Sequence, residues 1–242
     1  MERKNAWEKY SEEDRKKVFD FAEEYRGFIS RCKTERECVT ALRTLAEKAG
    51  FMDMEDVIAK GIRLKPGDRV LAENKGKSMA MYVIGQKSVE AGMNILGAHI
   101  DSPRLDLKQN PLYEDADLAL LDTHYYGGVK KYQWTAIPLA LHGVIVKKDG
   151  TKINVKIGEC ESDPIFCITD LLPHLSKEQY KRDLREAISG EALNVLVGSR
   201  PFLDDKVSEK VKLNILHLLF EKYDVVEEDL FSAELTAVPA FK

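Results

Sequence analysis

The spacing of apolar residues changes along the chain. Over residues 7–31, Phe19, Phe21, Ala22, Tyr25 and Phe28 recur at intervals near three and four among Glu, Asp, Lys and Arg, which predicts an amphipathic helix. Ser11 is its predicted N-cap, because Glu12, Glu13 and Asp14 follow and acids suit a first helical turn. Thr34, with Glu35 and Glu37 behind it, opens a second helix that Gly50 ends; Val39, Leu42, Leu45 and Ala46 form its apolar face. After the turn signal Lys65-Pro66-Gly67-Asp68 the period shortens, and residues 69–74, 78–84 and 94–98 read as strands.

From residue 109 to 135 the chain is polar and aromatic, with Gly127-Gly128 in the middle. Residues 137–147 are strand material, Lys148-Asp149-Gly150 is a turn, and residues 153–157 alternate on the return, which together predict a β-hairpin. Ser176-Lys177-Glu178-Gln179 has the pattern of a capping box and predicts a helix over 176–189. A further amphipathic helix covers 207–223, and 232–240 reads as a strand. Helices followed by strands with short turns predict an α/β chain of packed layers, and the shift to β-rich sequence puts a domain boundary near residue 105.

Composition narrows the function classes. A length of 242 residues suits one large domain or two modest ones. Lys plus Arg number 37 and Asp plus Glu 41, a net charge of −4, which leaves no basic surface for nucleic acid. No run approaches the roughly 18 apolar residues of a membrane-spanning helix. The start, Met1-Glu2-Arg3-Lys4-Asn5, lacks the apolar core of a signal peptide, so a cytoplasmic location is expected. Cys32, Cys38, Cys160 and Cys167 show no C-x-x-C spacing and are expected to be reduced packing residues there.

The chemistry concentrates in Asn94-Ile95-Leu96-Gly97-Ala98-His99-Ile100-Asp101-Ser102-Pro103-Arg104-Leu105-Asp106. An apolar strand running into a polar pair fits the placement of α/β sites at the carboxyl ends of strands. On extended backbone His99 and Asp101 share a face, so the histidine can ligate a metal through one nitrogen while the carboxylate orients the ring. Taken alone, the stretch equally suits a hydrogen-bonded histidine before a turn-forming Asp-Ser-Pro, because one ligand does not make a metal site.

The surrounding blocks are more specific. Gly97 to Leu107 resembles the first metal-ligand motif of the aspartyl-aminopeptidase-like family of dizinc aminopeptidases. The likeness continues, in order, through Asn110-Pro111-Leu112-Tyr113-Glu114, Thr123 to Gly128, Lys131-Tyr132-Gln133-Trp134, Ile137 to Gly143 and Thr169 to Leu175; upstream, Lys77-Ser78-Met79-Ala80 fits as well. The resemblance implies a zinc-dependent aminopeptidase that releases N-terminal residues, acidic ones among them, from peptides. His99 matches the first zinc ligand and Asp101 the acid that supports it. Two zinc ions sharing a bridging carboxylate, and a Glu acting as general base on water, are implied for the complete site. His142 matches a histidine that reaches a neighbouring subunit's active site and binds substrate. The implied architecture is part of a zinc-peptidase α/β/α sandwich: residues 1–105 in the peptidase domain, 106–231 as a β-rich inserted dimerisation domain, and 232–242 as a strand returning to the peptidase domain. Homo-oligomers through the inserted domain are expected, and the aromatic concentration Tyr125, Tyr126, Tyr132 and Trp134 suits such an interface.

The remaining ligands expected from the resemblance do not occur within these residues. Glu227-Glu228-Asp229 reads as a solvated helix start and Glu23-Glu24 as a solvated helix face. The expectation is therefore a truncated and inactive chain. The alternatives are a dimerisation or regulatory subunit without its own activity, and one half of a split enzyme. Among the other histidines, His124 is read as an interface or structural residue, His174 as a loop residue and His217 as half-buried helix packing.

Overall fold

A computed structural model describes residues 4–203 and 206–241; Met1 to Arg3, Asp204, Asp205 and Lys242, which end or interrupt the expected segments, lie outside the described residues. The chain divides into two compact units, one ending at Asp101 and the other spanning Ser102–Phe241.

In the first unit, α1 (Glu12–Arg31) starts where the sequence indicates. The Ser11 hydroxyl accepts the Asp14 N–H at 3.1 Å, and the Asp14 carboxylate accepts the Ser11 N–H at 3.3 Å. No residue of α1 is buried. Helix α2 (Glu35–Lys48) repeats the reciprocal cap with Thr34 and Glu37 and buries Cys38, Val39 and Ala46. A short β1 (Met52–Asp53) leads into α3 (Met54–Ala59) and pairs in parallel with β2 (Arg69–Asn74), which pairs antiparallel with β3 (Ser78–Val83). Val70 and Leu71 on β2 are fully buried. The strand expected over residues 94–98 is absent: the segment is irregular and Leu96 is 100% exposed. None of the described strands pairs with it, and a strand without a neighbour leaves its N–H and C=O groups unsatisfied by a ladder.

The second unit is built on a six-stranded antiparallel sheet in the order β7-β6-β9-β4-β5-β8. Its strands are β4 (Arg104–Asp115), β5 (Leu118–Tyr126), β6 (Leu139–Val146), β7 (Lys152–Ile157), β8 (Val195–Gly198) and β9 (Glu234–Pro239). The expected hairpin is β6–β7. Residues 104–126, of which 109–126 read as polar and aromatic, form the longest strand pair instead. Asn110, at φ +50°, and Pro111 sit where the β4–β5 register shifts, and this bulge breaks the alternation that would have announced a strand. Strand β9, expected to return to the peptidase domain, lies between β6 and β4 in the middle of this sheet.

Helix α4 (Lys210–Tyr223) contributes Val211 and, in part, Ile215 and Leu219 to a core with Leu105, Leu121, Ile145, Leu193 and Val195. The helix expected over 176–189 reduces to one 3-10 turn, Gln179–Lys181. The Ser176 hydroxyl is buried and donates back to the Pro173 carbonyl at 3.0 Å, so it closes a turn rather than capping a helix. No helix among the described residues is long and apolar enough to cross a membrane.

Candidate metal-binding element and a buried histidine

His99 and Asp101 come together as their spacing suggests, on irregular backbone rather than at a strand end. Nδ1 of His99 lies 3.1 Å from the Asp101 carbonyl oxygen and 3.2 Å from its Oδ1. Both partners are acceptors, so the neutral tautomer this geometry favours has its proton on Nδ1 and its lone pair on Nε2. The His99 side chain is 84% exposed and the ring is accessible from solvent. An imidazole held from behind by a carboxylate is the arrangement that raises ligand basicity and fixes the tautomer towards a divalent cation. The pair therefore fits one ligand's share of a zinc centre. Among the described residues, no group of three or more His, Cys, Asp and Glu side chains is arranged to hold a metal ion.

His142, on β6, belongs to the other unit. It stands opposite Lys156 on β7 and Thr236 on β9 and is fully buried. Its Nε2 lies 3.5 Å from Oε1 of Glu159, whose Oε2 is 2.8 Å from Nζ of Lys156. Glu159 has no signal in the sequence that ties it to His142; the hairpin fold carries it there.

The other candidates take structural places. His124 stacks on Tyr125 with ring centroids 5.7 Å apart. His217 is partly exposed on α4, 3.3 Å from Glu221, and meets Phe202 edge-on. Asp229 is buried and accepts the Val226 N–H at 3.1 Å at the start of a 3-10 turn, while Glu23 pairs with Arg26 at 2.7 Å on the exposed face of α1. Sequence reasoning did not find Cys38, whose Sγ lies 3.8 Å from the carbonyl oxygen of Ile100, between His99 and Asp101.

The probable M18 family aminopeptidase 1 of Clostridium acetobutylicum is 57% identical over 241 residues, which are 100% of this chain and 52% of that protein. Its counterpart in Thermotoga maritima is 44% identical over 241 residues, 51% of its length. The chain thus spans about half the length of the curated relatives it matches. The crystal structure of the Thermotoga maritima M18 aminopeptidase superposes with a TM-score of 0.91 at 44% identity, covering 100% of this chain and 51% of that one. That of aminopeptidase I from Clostridium acetobutylicum gives 0.87 at 54% identity, covering 99% and 52%. The profile of the aminopeptidase I zinc metalloproteases matches residues 28–242 and so takes in the His99–Asp101 element and both units; the chain belongs to this family, M18.

Proposed function

We propose that the chain works as part of a zinc-dependent aminopeptidase that releases N-terminal residues from peptides, with acidic residues the first class to test. The observation that carries this reading is the His99–Asp101 pair, exposed and with Nδ1 facing two acceptor oxygens, in a chain of the M18 family. His99 would supply one zinc ligand through Nε2, and Asp101 would hold the ring. Bound zinc would polarise the scissile carbonyl and lower the pKa of the attacking water. The other ligands and the glutamate base would come from residues other than those described.

The second unit, in this reading, is the dimerisation element. Tyr125, Tyr126 and Tyr132 are each partly exposed on it, and β7 ends its sheet with an edge that a second copy could cover. His142 would touch a neighbouring subunit's substrate only if the segment carrying Glu159 moves away, since the imidazole is fully covered in this chain. A cytoplasmic location belongs to the same reading, which suits cysteines that form no disulfide among the described residues.

A second reading, a dimerisation or regulatory subunit without its own activity, is favoured by the want of a three-ligand cluster among the described residues. Co-expression with the second half of the Clostridium acetobutylicum relative separates the two. Hydrolysis of aminoacyl anilides that requires both halves, is removed by a chelator and restored by zinc, and is lost in His99→Ala supports the aminopeptidase. A zinc-loaded complex that turns over no aminoacyl substrate favours the subunit.

A further inference from the structure

Helix α4 stands off the sheet of the second unit over a hollow of about 340 Å³. Leu141, Val155 and Leu235 floor it from β6, β7 and β9, and Ile215 and Leu219 roof it from α4. Its mouth opens between Leu218 on α4 and Ser162 and Pro164 on the segment after β7, all three exposed. Polar ties hold the helix at both ends. Glu114 on β4 takes two N–H groups of its first turn. At the other end Lys147 donates to the Asp224 carbonyl at 2.7 Å, and the Tyr223 hydroxyl to the Lys156 carbonyl at 3.0 Å. Ends pinned in this way resist collapse of the middle onto the sheet, so the hollow is preformed.

An apolar space of this size is costly to leave empty, because its walls lose their dispersion contacts. Water fills it poorly, since a buried water needs several polar partners. The volume falls within the range of about 300–1,000 Å³ usual for small-molecule sites. The charged groups at the mouth are matched among themselves: Asp163 Oδ1 lies 2.8 Å from Lys222 Nζ, and Glu221 Oε1 lies 3.3 Å from His217 Nε2. A charged ligand would have to compete with these pairs, whereas an uncharged one leaves them in place. Benzene occupies an apolar cavity of about 150 Å³ in other proteins, which scales to about ten non-hydrogen atoms or slightly more here. We propose that the hollow between α4 and the sheet is a binding site for an uncharged, mainly hydrocarbon molecule of that size. The site lies wholly in the second unit and involves neither His99 nor Asp101.

Methyl NMR spectra of the full chain titrated with 1-octanol test it. Saturable shifts are expected at Leu141, Val155, Ile215 and Leu219, half-complete at about 1 mM or below. Val57 and Val70, buried in the first unit, should not move. Octanoate, which carries a carboxylate on a chain of the same length, should bind at least about threefold more weakly at pH 7. Leu219→Phe grows into the hollow. It should weaken octanol binding at least about tenfold and leave the urea midpoint at or above the parent's, whereas in a filled core the added bulk would lower it. The proposal is overturned by any of five results: no saturable shift, equal shifts in the first unit, octanoate binding as well as octanol, unchanged octanol affinity in Leu219→Phe, or a lowered midpoint in that variant. Shifts at these methyls that follow protein concentration without octanol also overturn it, since a second copy would then fill the hollow. If Leu219→Phe does not fold, Val155→Ile on the opposite wall decides: weaker octanol binding without loss of stability supports the site, and unchanged binding overturns it.

Discussion

The carboxylate of Glu114, on β4, accepts the backbone N–H of Val211, in the first turn of α4, at 2.9 Å. The Lys212 N–H uses the same oxygen at 2.9 Å. The residue before the helix, Glu209, has a left-handed φ of +50° and caps nothing with its side chain. A strand residue thus does the work of a local N-cap, and its charge faces the positive end of the helix. Glu114→Ala should destabilise the chain by about 1–2 kcal/mol, the usual worth of a cap with favourable charge. Glu114→Gln, which keeps the acceptor, should lose less. Urea unfolding of the three proteins measures this, and indistinguishable midpoints would mean that α4 is held by its apolar contacts alone.

Gly143 marks the tightest approach in the sheet. Its φ is +148°, and a Cβ there would stand 2.0 Å from the Glu234 carbonyl oxygen and 2.9 Å from the Leu235 Cα, both on β9. Backbone cannot yield as a flexible side chain does. Gly143→Ala should therefore force β6 from β9 next to His142 and cost about 3 kcal/mol or more, at or above the upper range for overpacking. Amide exchange along β9 locates the damage: protection lost at Leu235 and Thr236 is expected, and unchanged protection along β9 would show that the sheet accommodates the methyl without the strands parting.

These long-range contacts mark the limit of what the sequence discloses. Helices α1 and α2 were legible because Ser11 and Thr34 carry reciprocal caps three residues long, and the β6–β7 hairpin because alternation meets an Asp-Gly turn. Strand β4 was hidden by Asn110 and Pro111 at its bulge, and the helix expected over 176–189 failed because the Ser176 hydroxyl turned back to Pro173. The site divides in the same way. His99 and Asp101, two residues apart, are within reach of one another as the sequence reading expected, although the strand that was to carry them is absent. Cys38 with Ile100, and His142 with Glu159, are brought together by tertiary structure and leave no pattern along the chain.

The cysteines should differ in reactivity. Burial, with the neighbouring Cys32 and Glu37, pushes the Cys38 thiol up to about 11, while Cys160 is exposed. The thiolate is the reacting form, so at neutral pH Cys38 should resist alkylation by iodoacetamide while Cys160 modifies readily. Peptide mapping over a time course in the native chain checks the order; Cys38 modified as fast as Cys160 would place its thiol in contact with solvent.

Asp163 should shape the acid limb of the second unit's stability. Its Oδ1 accepts from Nζ of Lys222 on α4 at 2.8 Å, and its Oδ2 from the N–H of Gly158 at 3.0 Å and of Cys160 at 3.4 Å. The Lys222 ammonium first, and then these amides, lower its pKa from 3.8 to about 2. The folded state therefore holds the ionised form more strongly than the unfolded chain does. The resulting stabilisation is complete above the unfolded value near 4, shrinks as pH falls, and is gone below about 2. The shift itself caps the effect at about 2 kcal/mol, and solvent around the half-exposed Lys222 reduces it to about 1 kcal/mol. Asp163→Asn should be less stable than the parent by that amount at pH 7, and the two should converge between pH 4 and pH 2 as the parent's carboxylate is protonated. Urea midpoints measured across that range decide it: a difference that stays constant with pH would trace the loss to the amide's hydrogen bonds rather than to the ion pair.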